Sequence, residues 1–354
     1  MIYSYRGLAY YHKGDYDQAI ADYDQVIQLQ PNYAWAYNSR GNAYRLKGNF
    51  DLAIADFDRA IQLQPDDAEP YDKRGLAYAA KGDYDRAIAD YDQAIQLNPE
   101  CNACTYYNRG NAYAAKGDYD RAIADYDQAI KLKPDYAKVY GYRGVTYYFK
   151  GNYDQAISDC DQAIQLQPDL AAAYYIRGLA YAAKGDYDRA IADYDQAIKL
   201  KPDLAEAYID RGNAYYYKGD YDRAIEDYDQ AIKLKLDYAY VNRGNAYADK
   251  GDYDRAIQDY DKAISLNPNY ADAYYNRGLA YNSQGDYDHA IEDFDQAIRL
   301  EPNFAPAYYN RGWAYKQKGE REQAIADFMK VLELTDDPYW RQQAEQRLAE
   351  LRTK

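Results

Sequence analysis

Two histidines, His12 and His289, and three cysteines, Cys101, Cys104 and Cys160, are the side chains of this 354-residue chain best suited to acid–base, nucleophilic or metal chemistry. The histidines stand near opposite ends of the sequence, and neither comes with a nucleophile–base set, a phosphate-cradling glycine loop or a metal-ligand cluster. Cys101 and Cys104 form a C-x-x-C pair. A zinc site needs a second ligand pair, and a redox role needs a helix N-terminus on a thioredoxin-like sheet. Neither is visible, so the pair reads as a loop feature. The expectation is a protein that is not an enzyme and carries no cofactor and no metal.

The chemistry that does recur is ion pairing. Arginine stands at residues 6, 40, 74, 109, 143, 177, 211, 243, 277 and 311, and aspartate at 22, 56, 90, 125, 159, 193, 227, 259, 293 and 327. The planar guanidinium fork suits a carboxylate. A surface position rarely demands the same residue ten times, so the two columns are expected to pair between packed helices.

The elements that would hold these columns follow from the period. Each arginine precedes a glycine, from Gly7 to Gly312, with steps of 34, 34, 35, 34, 34, 34, 32, 34 and 34 residues. Such a ladder means stacked repeats. In the unit from Ala171 to Leu204, Tyr174, Gly178 and Tyr181 share a helical face. Gly185 supplies a helix-ending turn, Asp186 can cap the next helix, and Ala190, Tyr194 and Ala197 mark a second apolar stripe. Pro202 ends it. With Ala171 as position 1, positions 8 and 15 are glycine in every unit and use 20 of the 21 glycines. Position 11 is always Tyr and position 20 always Ala. Position 8 is expected to let two helix backbones approach, and position 15 to form the turn. Cys160 falls at position 24, where other units have Tyr or Phe, and reads as core.

Composition bounds the partners. Asp and Glu number 58 against 43 Lys and Arg, a net charge of -15. Such a surface repels nucleic acid and anionic lipid and favours neutral or basic protein partners. No run of 18 apolar residues suggests a membrane span, and MIYSYRGLAY lacks the features of a secretion signal. A cytoplasmic location is the expectation. Residues 1–334 read as ten repeats and 335–354 as a capping helix opened by Asp337 and Pro338. Without Gly/Ser linkers, the array reads as one continuous body. The joints at 98–104 and 235–238 break the period and are expected to change the local twist. The N-terminal helix has no such cap: either the chain is a fragment, or this helix is exposed and expected to fray or self-associate.

The spacing Tyr174, Gly178, Tyr181, Ala190, Tyr194, Ala197, Pro202 resembles the tetratricopeptide signature, with Tyr for the usual Trp at position 4. The resemblance covers nearly the whole chain. It implies an all-α, right-handed superhelical solenoid of helix-turn-helix repeats. Arg at position 7, often Leu in relatives, and Asp at position 23 depart from the common pattern.

In superhelical relatives, positions 2, 5, 6, 9, 12 and 13 of the first helix line a concave groove. Here those positions vary while the core columns stay constant. They place Trp35, Asn42, Tyr107, Asn108, Asn111, Tyr148, Phe149, Tyr175, Asn213, Tyr216, Tyr217, Asn242, Asn245, Tyr275, Asn276, Tyr309, Asn310 and Trp313 in the groove. The rings offer contact area at low entropic cost, and the amides offer both donor and acceptor to a peptide backbone. The expected function is a protein- or peptide-binding scaffold. A self-assembling spacer array is the second reading. The lysine and arginine pattern with which relatives clamp acidic chaperone tails is absent, and the basic groove of RNA-binding repeats is missing too.

Overall fold

The computed structural model describes residues 2–98 and 103–352. Two compact units result, Met1–Lys184 and Gly185–Lys354. The first contains α1 (Ile2–Lys13), α2 (Tyr16–Leu29), α3 (Ala34–Leu46), α4 (Phe50–Leu63), α5 (Ala68–Ala80), α6 (Tyr84–Leu97), α7 (Ala103–Ala115), α8 (Tyr119–Leu132), α9 (Ala137–Phe149), α10 (Tyr153–Leu166) and α11 (Ala171–Ala183). The second contains α12 (Tyr187–Leu200), α13 (Ala205–Tyr217), α14 (Tyr221–Lys233), α15 (Ala239–Asp249), α16 (Tyr253–Leu266), α17 (Ala271–Gln284), α18 (Tyr287–Leu300), α19 (Ala305–Lys318), α20 (Arg321–Leu334) and α21 (Pro338–Arg352). The architecture is all-α, with helix-turn-helix repeats stacked in sequence order within each unit.

The turn between paired helices has one cause. Each position-15 glycine has a φ between +77° and +83°, a region closed to most side chains. Where the next residue is aspartate it caps the second helix: Asp83, for one, accepts from the Arg86 N–H at 3.2 Å, whereas Asn49, Asn152 and Glu320 make no such bond. The position-20 alanines are fully buried, as are the large rings at position 24, from Tyr23 to Phe328.

The position-8 glycine acts differently from expectation. Its space is taken mainly by the position-24 side chain, a ring in most repeats and Cys160 at Gly144, and less by a second backbone. A Cβ built on Gly75 would lie 2.7 Å from Tyr91 Cε1, and one on Gly212 2.7 Å from Tyr228 Cε1. Backbone approach is secondary, as at Gly110, where the Ala122 carbonyl oxygen would be 3.2 Å away.

Arginine and aspartate columns pair as expected in the nine repeats that lie within one unit. Arg40 Nε and Nη2 donate to Asp56 at 2.8 and 2.6 Å. Arg311 reaches Asp327 the same way, at 2.9 and 2.6 Å. The remaining guanidinium nitrogen reaches back one repeat, from Arg40 to Asp24, Arg74 to Asp58 and Arg277 to Asp261. Each arginine also lies against the Tyr at position 4, for example Arg40 at 5.7 Å from the Tyr37 ring centre. One column therefore fastens both the helix pair and the joint to the preceding repeat.

Two joints break the 34-residue period. Cys101 and most of the 98–104 joint fall outside the described residues. At the other, Lys235 takes φ +68°, and the Leu236 N–H donates to the Ala231 carbonyl at 3.1 Å. That glycine-like helix stop lets Leu236 pack on the core around Tyr228. At the C-terminal end, Ala344 and Leu348 of α21 are buried against Phe328 and Val331 of α20.

Candidate functional site

Among the groove candidates, six meet in one place in the second unit. A cleft of about 600 Å³ is lined by Tyr216 from α13, Asn245 and Asp249 from α15, Asn276 and Asn282 from α17, and Tyr309, Asn310 and Trp313 from α19. These helices are the first members of four successive repeats, so one helix periodicity lays out the whole wall. Tyr253 and Tyr260 contribute from the second helix α16.

The amides are not free at both ends. Asn245 Oδ1 accepts from the buried Tyr260 hydroxyl at 2.7 Å, which leaves its NH2 as the end offered to a ligand. Asn310 is the reverse. Its Nδ2 donates to the Tyr275 hydroxyl at 3.0 Å and to the Pro306 carbonyl at 2.9 Å, leaving its oxygen. The expectation that each asparagine serves as both donor and acceptor is corrected for these two, each of which has one end committed to the fold. Tyr216 donates its hydroxyl to Asp249, and burial followed by that carboxylate pushes its phenol up. Burial also pushes Tyr275 up to about 12. Both phenols stay protonated at neutral pH: Tyr216 gives its proton to Asp249, while Tyr275, which accepts from Asn310, keeps its own to donate.

Other candidates are placed by packing. Tyr309 lies between Phe328 and Trp340, with ring centres 5.5 and 5.4 Å away. Trp313 meets Tyr287 edge-on at 5.7 Å. Tyr275 packs on Phe304 at 4.8 Å. Asn213 accepts from Tyr228 at 2.9 Å and from Asn242 at 3.2 Å. Phe149 and Tyr217, at position 13, stack on Tyr119 and Tyr187 of the preceding repeat at interplanar angles of 13° and 18°. They remain 63% and 67% exposed. Tyr148 packs its ring on Tyr153 at 5.7 Å.

In the first unit the candidates divide between two smaller cavities. Trp35 and Asn42 border one of about 180 Å³, together with Tyr11, Asn38 and Glu69. Tyr107 and Tyr175 border another of about 410 Å³, which is mostly apolar and also touches Lys138, Gly141 and Tyr142. Asn108 and Asn111 are half-buried on α7, and Asn111 accepts from Tyr126 at 2.8 Å.

Asn282, Tyr142 and Gly141 were not singled out from the sequence as wall residues, although they stand at groove positions 12, 6 and 5. Gly141 had a further signal, being the one glycine outside positions 8 and 15. Among the described residues, no group of three or more His, Cys, Asp or Glu is placed to hold a metal ion, and no helix is long and apolar enough to cross a membrane.

Comparison with known proteins places this geometry. A tetratricopeptide repeat protein from Parabacteroides merdae is 21% identical over 73% of this chain and 99% of its own, with a TM-score of 0.53. MamA is 35% identical over 49% of this chain and 96% of its own, with a TM-score of 0.42. YrrB, described as a TPR protein with an unusual peptide-binding site, is 25% identical over 53% of this chain and 97% of its own, with a TM-score of 0.43. No curated protein matches. Family models described as TPR repeat match residues 7–48, 41–82, 75–117, 178–217 and 244–283. Models described as tetratricopeptide repeat match 103–136, 137–170, 205–238, 271–304 and 305–338. With its repeats matched one after another from residue 7 to residue 338, this chain belongs to the tetratricopeptide repeat family.

Proposed function

We propose that the protein is a non-enzymatic scaffold that captures an extended segment of a partner protein along the first helices of its repeats. The cleft between α13 and α19 carries this reading. Its four amides and its aromatic walls come from successive repeats, so they form a row and not a closed pocket. A row of this kind suits an extended chain, whose backbone offers a donor and an acceptor at every residue. Asn245 presents donors and Asn310 an acceptor, which matches such a backbone in one direction. Tyr216, Tyr309 and Trp313 supply the contact area for side chains. Asp249 is the one charged side chain lining the cleft. Together with the net charge of -15, it favours a neutral or basic segment.

The test is peptide selection by phage display on the immobilised protein, followed by titration against wild type, Asn276→Ala and Trp313→Ala. Selected peptides should lose about tenfold or more in affinity, about 1.4 kcal/mol, in each variant, with helicity unchanged. Selection that yields no peptide, or peptides indifferent to both substitutions, would sink the reading. Sedimentation of the peptide-free protein across a concentration series addresses the spacer alternative, which requires mass to grow with concentration.

A further inference from the structure

We propose that the cavity at Gly141 in the first unit is a docking site for one aromatic side chain of a partner protein, presented beside a carboxylate. The other 20 of the 21 glycines fall at the left-handed turn of position 15 or at position 8, where a Cβ would press on the partner helix in every case described. Gly141 stands at neither. It sits inside α9 without a positive φ, and a Cβ built there meets only Leu170 Cδ2, at an ordinary 3.7 Å. Glycine weakens a helix interior relative to alanine, so the fold alone favours a side chain here. A local choice that works against the fold points to function.

What the missing side chain leaves is a cavity of about 410 Å³ walled by Tyr107, Tyr142, Val145, Leu170 and Ile176. The adjacent first helices carry a ring at the same repeat position, Tyr107 on α7 and Tyr175 on α11. A partner's ring would therefore complete a row that the chain interrupts. A benzene molecule is held by a cavity of roughly 150 Å³, so the space suffices for a ring and its methylene. Tyr142 is 46% exposed and meets Tyr107 edge-on at 5.2 Å, leaving a face open for an incoming ring. Lys138 is the one charged residue lining the cavity, and it makes no ion pair among the described residues. Its charge selects a carboxylate near the ring.

The inference rests on the reading that first helices receive a protein segment, but its test reads this cavity directly. Acetyl-Phe-Asp-amide is titrated into protein carrying 13C-labelled Val and Ile methyl groups. Ring-current shifts at Val145 and Ile176 should saturate at millimolar probe. Acetyl-Ala-Asp-amide should produce none, and acetyl-Phe-Lys-amide should bind more weakly. Gly141→Leu should fill the space, raise the thermal midpoint and abolish the shifts. Gly141→Ala, which meets only ordinary contact, should reduce them and serves if the leucine variant does not fold. Lys138→Gln should weaken the Phe-Asp probe about two- to fivefold. No saturable shift in wild type, an undiminished shift in both Gly141 variants, or an equal response to the alanine probe overturns the site. Equal binding of the Phe-Lys probe overturns the carboxylate. Trp313→Ala should leave these shifts unchanged, which separates failure here from failure of the cleft in the second unit.

Discussion

The hydroxyl of Tyr260 donates to Asn245 Oδ1 at 2.7 Å, joining the two helices of one repeat beneath the cleft. The same bond joins Tyr126 to Asn111 and Tyr228 to Asn213. Position 9 thus answers a need of position 24, since a core phenol must find an acceptor. The third repeat shows the need unmet: Leu76 stands at position 9, and the Tyr91 hydroxyl is buried without a hydrogen-bond partner among the described residues. Asn245→Leu should therefore cost about 1–3 kcal/mol by stranding the Tyr260 hydroxyl. Adding Tyr260→Phe should recover most of that loss, and Tyr91→Phe alone should be neutral or stabilising. Urea denaturation midpoints decide this; an Asn245→Leu midpoint equal to wild type would refute it.

Asp56 is 5% exposed and holds Arg40 by two parallel hydrogen bonds, whereas Asp24, on the other side of the guanidinium, is half-exposed. The hydrogen bond to Asp56 raises Arg40 above its ordinary value. Burial pushes the Asp56 carboxyl up while Arg40 pulls it down, and burial prevails. The pair is therefore held at a desolvation cost, and breaking it leaves a buried charge. Asp56→Ala should cost about 3–5 kcal/mol and Asp24→Ala less than about 1 kcal/mol. A double-mutant cycle on Arg40 and Asp56 should show strong coupling. Equal effects of the two aspartates would remove this account.

These two relationships mark how far the sequence could be read. The Arg40–Asp56 pair was legible because both columns are invariant and sixteen residues apart, so one geometry repeats. The bond to Asp24 was not, because it depends on the joint between repeats, and position-25 aspartates look like any solvated face. The groove was legible as a set of variable positions on the first helices. Which members meet was not: Phe149 and Tyr217 stack on a neighbouring repeat, while Tyr309 and Trp313 border a cleft. That choice depends on side-chain packing across repeats, which periodicity does not encode. The asparagine roles were also hidden, because each is set by a partner, Tyr260 or Tyr275, from a different helix.

Glycines at positions 8 and 5 should respond in opposite directions to the same change. In Gly75→Ala the new methyl would sit 2.7 Å from the Tyr91 ring, so the ring or helix must shift, at about 1–3 kcal/mol. In Gly141→Ala the methyl meets nothing closer than 3.7 Å, and the helix gains about 0.5–1 kcal/mol. Lys235 offers a third case. Its φ of +68° strains an L-residue by about 1–2 kcal/mol, so Lys235→Gly should stabilise. Thermal midpoints of the three variants against wild type test the ordering, and destabilisation by Gly141→Ala would contradict the open space seen there.

His289 replaces the arginine found after the cap aspartate in several repeats, and its Nδ1 lies 2.7 Å from Asp286 Oδ2. The hydrogen bond and charge of Asp286 raise the imidazole above its model-compound value of 6.5, and Asp286 is lowered in turn, chiefly by that bond. A histidine raised in the folded state contributes stability that is fully present below 6.5 and fades as pH climbs through the folded value. The cap aspartate works in the other direction, its contribution fading as acid titrates it below its ordinary range. The local optimum therefore lies between the two, in mildly acidic solution. Because the chain has only two histidines, an NMR titration resolves them: His289 should titrate above 6.5, and Asp286→Asn should bring it down towards 6.5. Hydrogen exchange in the first turn of α18 should be slowest below that midpoint. A His289 resonance that titrates at the same pH with and without Asp286 would show that the cap pair does not form in solution.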